Sequence, residues 1–170
     1  MSRFVELSCA REDPWPIARA GRPRTRLHGA GAGPLLLGAV AGLAGIVVDA
    51  PVPPYGIVIQ PVPQAVRERA VLVRTGWDRR STSCPYLAEP TVSALLTGGA
   101  ELVGLDFPCG DARDDPARVA CERLLSASIV VVEGLCNLSA LPAENLRFFA
   151  VPLSAGSSPV VRAFAELLPP

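Results

Sequence analysis

Apolar positions in this chain fall in short dense runs, separated by segments rich in proline, glycine and charge. Ile46-Val47-Val48, Val71-Leu72-Val73, Leu102-Val103-Gly104-Leu105 and Ile129-Val130-Val131-Val132 are the densest. Their length and β-branched content predict buried strands. Residues 4–8 predict a further short strand. Residues 147–153 predict another, ended by Pro152 and the Gly156-Ser157-Ser158 turn. Residues 159–168 fit either a last strand or a terminal helix. A short helix is predicted over 89–96, stopped by Gly98-Gly99. A second is predicted over 116–125, with Asp115 as N-cap and Pro116 in the favoured first position. Strands alternating with helices predict an α/β domain with partly parallel pairing.

The intervening segments read as loops: 11–26, the small-residue run 29–33, the five-proline stretch 51–63, and the polar stretches 78–86 and 111–115. No internal repeat is present. At 170 residues the chain is read as a single domain over 1–170. A chain of that size buries roughly two-thirds of its unfolded surface. Hydrophobic content of 49% and a mean hydropathy of +0.34 argue against disorder.

Net charge is zero, which argues against nucleic acid as a partner. All 16 basic residues are arginine; with 18 prolines and 15 glycines this reflects compositional bias, so the arginines are not read as phosphate ligands. The apolar stretch 34–50 is broken by Gly38, Gly42 and Gly45 and closed by Asp49 and Pro51, so no membrane span is expected. Glu6, Glu12 and Asp13 stand where a signal peptide would be basic and then apolar, which predicts a cytoplasmic protein. The five cysteines (9, 84, 109, 121 and 136) are odd in number and contain no CxxC pair. A zinc ribbon or disulfide scaffold is not expected, and free thiols are.

Several motifs occur in a telling order. Val71-Leu72-Val73-Arg74-Thr75-Gly76-Trp77 is followed by Val103-Gly104-Leu105-Asp106-Phe107-Pro108 and Cys121-Glu122-Arg123-Leu124-Leu125. Next come Glu133-Gly134-Leu135-Cys136-Asn137-Leu138, Phe149-Ala150-Val151-Pro152-Leu153 and Pro159-Val160-Val161-Arg162-Ala163. This series resembles the C-terminal half of the metal-dependent cyclase family, which includes bacterial kynurenine formamidase and isatin hydrolase. Glu6-Leu7-Ser8 is similar to the family's opening Asp-Leu-Ser. The family's His-x-Gly-Thr-His-x-Asp-x-Pro motif, set on Pro34, places its first ligand on Arg26, its second on Ala30, its bridging Asp on Ala32 and a further His on Leu36. His28, the only histidine, falls on the motif's first glycine. The second-metal His falls on Cys121, and the second-metal Glu is kept as Glu133. Residues 1–45 look shortened and divergent. The resemblance implies a mixed α/β sheet with short helices, of the family's swivelling β/β/α type. It also implies dimers or tetramers with pockets near subunit interfaces.

With these ligands missing, no metal and no other cofactor is expected; one histidine also excludes a two- or three-histidine zinc centre. The expected function is a metal-independent, cyclase-like enzyme of specialised metabolism. It would cyclise, dehydrate or isomerise a small organic molecule. The alternative is a non-catalytic ligand-binding or assembly subunit. Glu133 is the candidate general acid or base, with Cys109 or Cys121 assisting and His28 as proton shuttle. Arg74, Trp77 and Asp106 are candidate substrate-binding residues.

Each has a plainer alternative. Glu133 could pair with Arg74 or Arg123 for stability alone. Cys121 could be a small core residue, Cys109 an incidental loop thiol and His28 a surface loop residue. Asp106 could fix its loop through backbone amides. Trp77 could line a pocket or cap the core. A homodimer or larger homo-oligomer is expected, with residues 34–48 buried between subunits.

Overall fold

The computed structural model describes residues 3–9, 25–29, 37–50, 66–78, 85–108, 116–153 and 160–169. Among them, one mixed sheet holds strands β1 (Arg3–Glu6), β2 (Arg26–His28), β3 (Ala41–Asp49), β4 (Ala70–Arg74), β5 (Leu102–Leu105), β6 (Val130–Glu133), β7 (Leu146–Pro152) and β8 (Val161–Leu167). Their spatial order is β1-β8-β7-β3-β4-β5-β6-β2. The four strands β3 to β6 run parallel as successive neighbours. The outer pairs β1/β8, β7/β8, β3/β7 and β2/β6 are antiparallel. Helix α1 (Glu89–Gly98) connects β4 to β5, and α2 (Pro116–Ser126) connects β5 to β6. The α/β class read from the strand–helix alternation is the class observed.

The sheet curls until its two ends meet. The Leu7 amide donates to Ala163 O at 2.9 Å beside β8, and the Cys136 amide donates to Leu7 O at 2.8 Å beyond β6. Arg26 also forms an isolated bridge to Val160. The curl creates two apolar layers. Leu72, Leu102, Val130, Val132, Leu146, Phe148 and Ala163 pack inside the curl. Val71, Val73, Val103, Leu105 and Val131 face outwards and pack with Val92 and Leu95 of α1 and Leu124 of α2. Successive strand residues point to opposite faces. The central strands have both faces covered, so their sequences show continuous apolar runs.

Local chemistry sets the boundaries. Gly99 closes α1 with φ 73°, a left-handed conformation that glycine adopts without steric cost. Glu89 of α1 holds Arg123 of α2 in an ion pair that joins the two helices. Gly42, at φ 80°, marks a register shift between Ala41 and Leu43 where β3 meets β7.

Three expectations change. Of the stretch 159–168, Val161–Leu167 is a strand, β8, which pairs with β7 on one side and β1 on the other. Arg26–His28 is a strand, β2, where the sequence suggested loop; three residues without β-branching carry no local signal, and pairing with β6 makes them extended. The described part of residues 34–48 includes the central strand β3, which buries Leu43 and Val47 in one layer and Ile46 in the other. Finally, Cys9 and Cys136 form a disulfide with Cα atoms 5.4 Å apart, and Cys121 is also disulfide-bonded. The free-thiol expectation is corrected: the curl brings residues far apart in sequence together, which an odd count without a CxxC pair cannot reveal. The expectations for residues 30–33, 51–63, 79–84, 109–115 and 156–158 lie outside the described residues.

Candidate functional site

The carboxyl ends of the parallel strands gather Asp49, Arg74, Asp106 and Glu133 at one end of the sheet, the usual place for sites in open α/β folds. Glu133 ends β6 and is 9% exposed. Gly134 follows at φ 70°, a conformation an L side chain would strain. Its carbonyl accepts a hydrogen bond from Thr25 Oγ1 at 3.0 Å, and its amide donates to Phe107 O at 3.3 Å. The same Thr25 hydroxyl accepts from the Cys9 amide at 3.1 Å. Asn137 Nδ2 donates to Glu6 O at 2.9 Å. With the Cys9–Cys136 disulfide, these bonds tie the end of β1 and Thr25 to the chain leaving Glu133.

The β2/β6 register places Arg26 opposite Glu133, Leu27 opposite Val132 and His28 opposite Val131. Residues directly opposite in an antiparallel pair share a face. Leu27 and Val132 belong to the inner core, whereas Val131 belongs to the helix-side layer. Arg26, His28 and Glu133 therefore share the outer face. His28 Nε2 lies 3.2 Å from Glu133 Oε1, with side chains 25% and 11% exposed. That is ion-pair distance, and both side chains keep part of their surface open. His28 is thus a strand residue facing a carboxylate, and the surface-loop reading is corrected.

Neither arginine proposed as a stabilising partner of Glu133 serves that role. Arg74 grips Asp49 through Nε and Nη2 at 2.6 and 2.8 Å and donates from Nη1 to the carbonyls of Leu138 and Leu141 at 3.0 and 3.1 Å. The hydrogen bond from Arg74 holds the Asp49 carboxyl below its ordinary value, and the same bond raises the guanidinium. Arg123 is paired with Glu89.

Asp106 accepts from the amides of Thr75 and Gly76 at 2.8 and 3.0 Å and from Thr75 Oγ1 at 2.7 Å. It pins the turn after β4. Burial pushes its carboxyl up, and the hydrogen bonds offset only part of that. Trp77 is 9% exposed and packs in the helix-side core with Leu87 and Phe107. Cys121 is buried on α2 and, as a disulfide sulfur, has no thiol proton to exchange. Cys109 lies outside the described residues. The structure therefore brings Glu133 and His28 together, adds Arg26, and gives Arg74, Asp106, Trp77 and Cys121 work in the scaffold. Arg26 was legible in the sequence only as the position of a missing ligand.

No protein-family model and no curated protein matches the chain. Solved structures do. A potential metal-dependent hydrolase with cyclase activity matches with a TM-score of 0.77 over 100% of both chains at 16% identity. A predicted metal-dependent hydrolase from Bacillus stearothermophilus matches at 0.73 over 98% of each chain, also at 16% identity. Isatin hydrolase A from Labrenzia aggregata matches at 0.74 over 99% of this chain and 94% of its own, at 14% identity.

The fold is that of the cyclase family. Identities this low speak to the fold and leave the chemistry to the residues present. Those residues do not fit the cyclase family's metal. Arg26 carries a positive charge, Cys121 is disulfide-bonded, and Glu133 faces His28. Among the described residues, no group of three or more His, Cys, Asp or Glu is placed to hold a metal ion. Also among them, no helix is long and apolar enough to cross a membrane.

Proposed function

We propose that this chain is a metal-independent enzyme that moves protons on a small organic molecule, in a cyclisation, dehydration or isomerisation of specialised metabolism. The observation that carries this reading is the His28–Glu133 pair at the carboxyl end of the parallel strands. The carboxylate and the imidazole stand side by side on one face of the sheet. The pair can then take a proton from one substrate atom and return it to another. Such transfer contributes about a hundredfold or more to a rate.

Isatin, named in the solved structures of like fold, is the first probe. Chelator-treated protein is exposed to isatin and related lactams and carboxylic acids, then examined by native mass spectrometry and for turnover. A bound compound that the wild type converts, and that Glu133→Gln converts about a hundredfold more slowly at unchanged melting temperature, supports the proposal. Retention of nothing, or turnover that survives Glu133→Gln, overturns it.

A second reading, a non-catalytic binding or assembly subunit, draws support from Arg74, Asp106 and Cys121, whose polar groups are engaged within the scaffold. In either case we place the contact between copies on the outer face of β1, β8 and β7. That face adds no residue to the helix-side core. It carries the stacked rings of Phe149 and Phe164, with Phe4 edge-on to Phe164 and 59% exposed. Arg147 and Arg162 stand among Glu6 and Glu166 there, a balance of charge that suits contact with an identical surface. The Cys9–Cys136 disulfide fits an oxidising compartment better than the cytoplasm expected from the sequence.

A further inference from the structure

Arg26 stands directly across from Glu133 on the face that carries His28. Its Nε atom is buried and has no hydrogen-bond partner. Four other arginines, Arg74, Arg118, Arg123 and Arg162, each hold a carboxylate. A guanidinium N–H withdrawn from water without an acceptor is costly, and a bound group that supplies the acceptor removes that cost. The unmet donor lies on the Nε edge of the guanidinium. That edge, with one terminal nitrogen, forms the fork that grips a carboxylate through two parallel hydrogen bonds.

We infer that Arg26 is an anion-binding residue, and that the small molecule handled beside His28 and Glu133 carries a carboxylate. This inference rests on the acid–base reading of that pair and narrows its substrate class. Glu133 alone would repel an anion. Arg26 cancels that charge at the same cross-strand position, so the face as a whole accepts one. Binding through the Nε edge would hold the carboxylate within reach of the imidazole, which then exchanges a proton elsewhere on the same molecule.

His28 is the only histidine, so the imidazole signals in a carbon–proton NMR spectrum belong to it without further assignment. Benzoate is the probe, with benzamide as its neutral counterpart. In the wild type, benzoate moves the His28 signals in a saturable way and benzamide does not. In Arg26→Gln the apparent Kd for benzoate weakens at least tenfold. In Arg26→Lys, which keeps the charge and loses the fork, it weakens by an intermediate factor.

A wild type whose His28 signals ignore benzoate overturns the inference. So does an Arg26→Gln or Arg26→Lys protein, folded by its melting curve, that binds benzoate within twofold of wild type. Glu133→Gln separates this from the acid–base reading. If that variant leaves the unliganded His28 spectrum unchanged while benzoate still binds through Arg26, the proton-transfer pair is wrong and the anion site stands.

Discussion

Removing the Cys9–Cys136 disulfide should destabilise the protein more than any single hydrogen bond could. The bond joins residues 127 positions apart, so it closes most of the chain into one loop. The loop-entropy relation for a closure of that length gives about 5 kcal/mol, and losses of native disulfides typically fall at about 2–5 kcal/mol. For a chain of this size each kcal/mol moves the melting temperature by roughly 2–4 °C. The double variant Cys9→Ser/Cys136→Ser should therefore melt about 5–20 °C below wild type in calorimetry without reductant. The loss should be felt first around Leu7, whose amide and carbonyl both bond to distant chain at Ala163 and Cys136. Hydrogen exchange at Leu7 and Cys136 should accelerate before exchange in β4 or β5. Alkylation of denatured, unreduced wild type should leave Cys9 and Cys136 unmodified. A melting temperature within about 3 °C of wild type, or rapid alkylation of both cysteines, would refute the reasoning.

Two further outcomes follow from the polar network. Asp106→Asn replaces an oxygen that receives donors from Thr75 and Gly76 with an amide that cannot accept them all. It should cost about 1–3 kcal/mol by denaturant titration, the scale of leaving a buried donor unmet. The Asp49 carboxyl is held below its ordinary value by Arg74, so its stabilising contribution is present above the unfolded pKa near 3.8 and disappears as pH falls through the lowered folded value. Asp49→Asn should therefore narrow the stability difference between pH 6 and pH 2. The change should be less than about 1 kcal/mol because the carboxylate is solvent-screened, and a pH profile identical to wild type would count against the pairing.

The central strands and both helices were legible because their causes are local. Ile46 to Val48, Val71 to Val73 and Val130 to Val132 are apolar and mostly β-branched wherever they are placed. Pro116 starts a helix and Gly99 ends one through their own backbone preferences. Glu133 drew attention through the motif around it. β2 was not legible, since Arg26-Leu27-His28 becomes a strand only by pairing with β6. The partner of Glu133 was misjudged for a related reason. Arg74 and Arg123 seemed suitable by charge, yet register sends Arg74 to Asp49 and helix packing sends Arg123 to Glu89.

By itself the sequence determined which segments must be buried, the α/β class that follows from their alternation, and the loss of a histidine-rich metal site. The tertiary structure alone decided that the chain leaving β1 meets Thr25 across the curl, that Cys9 reaches Cys136, and that His28 faces Glu133 with Arg26 opposite it in the sheet. Burial and backbone preference are properties of neighbouring residues, so they can be read along the chain. Pairing between distant segments depends on how one sheet twists and closes, and no local pattern of residues encodes that closure.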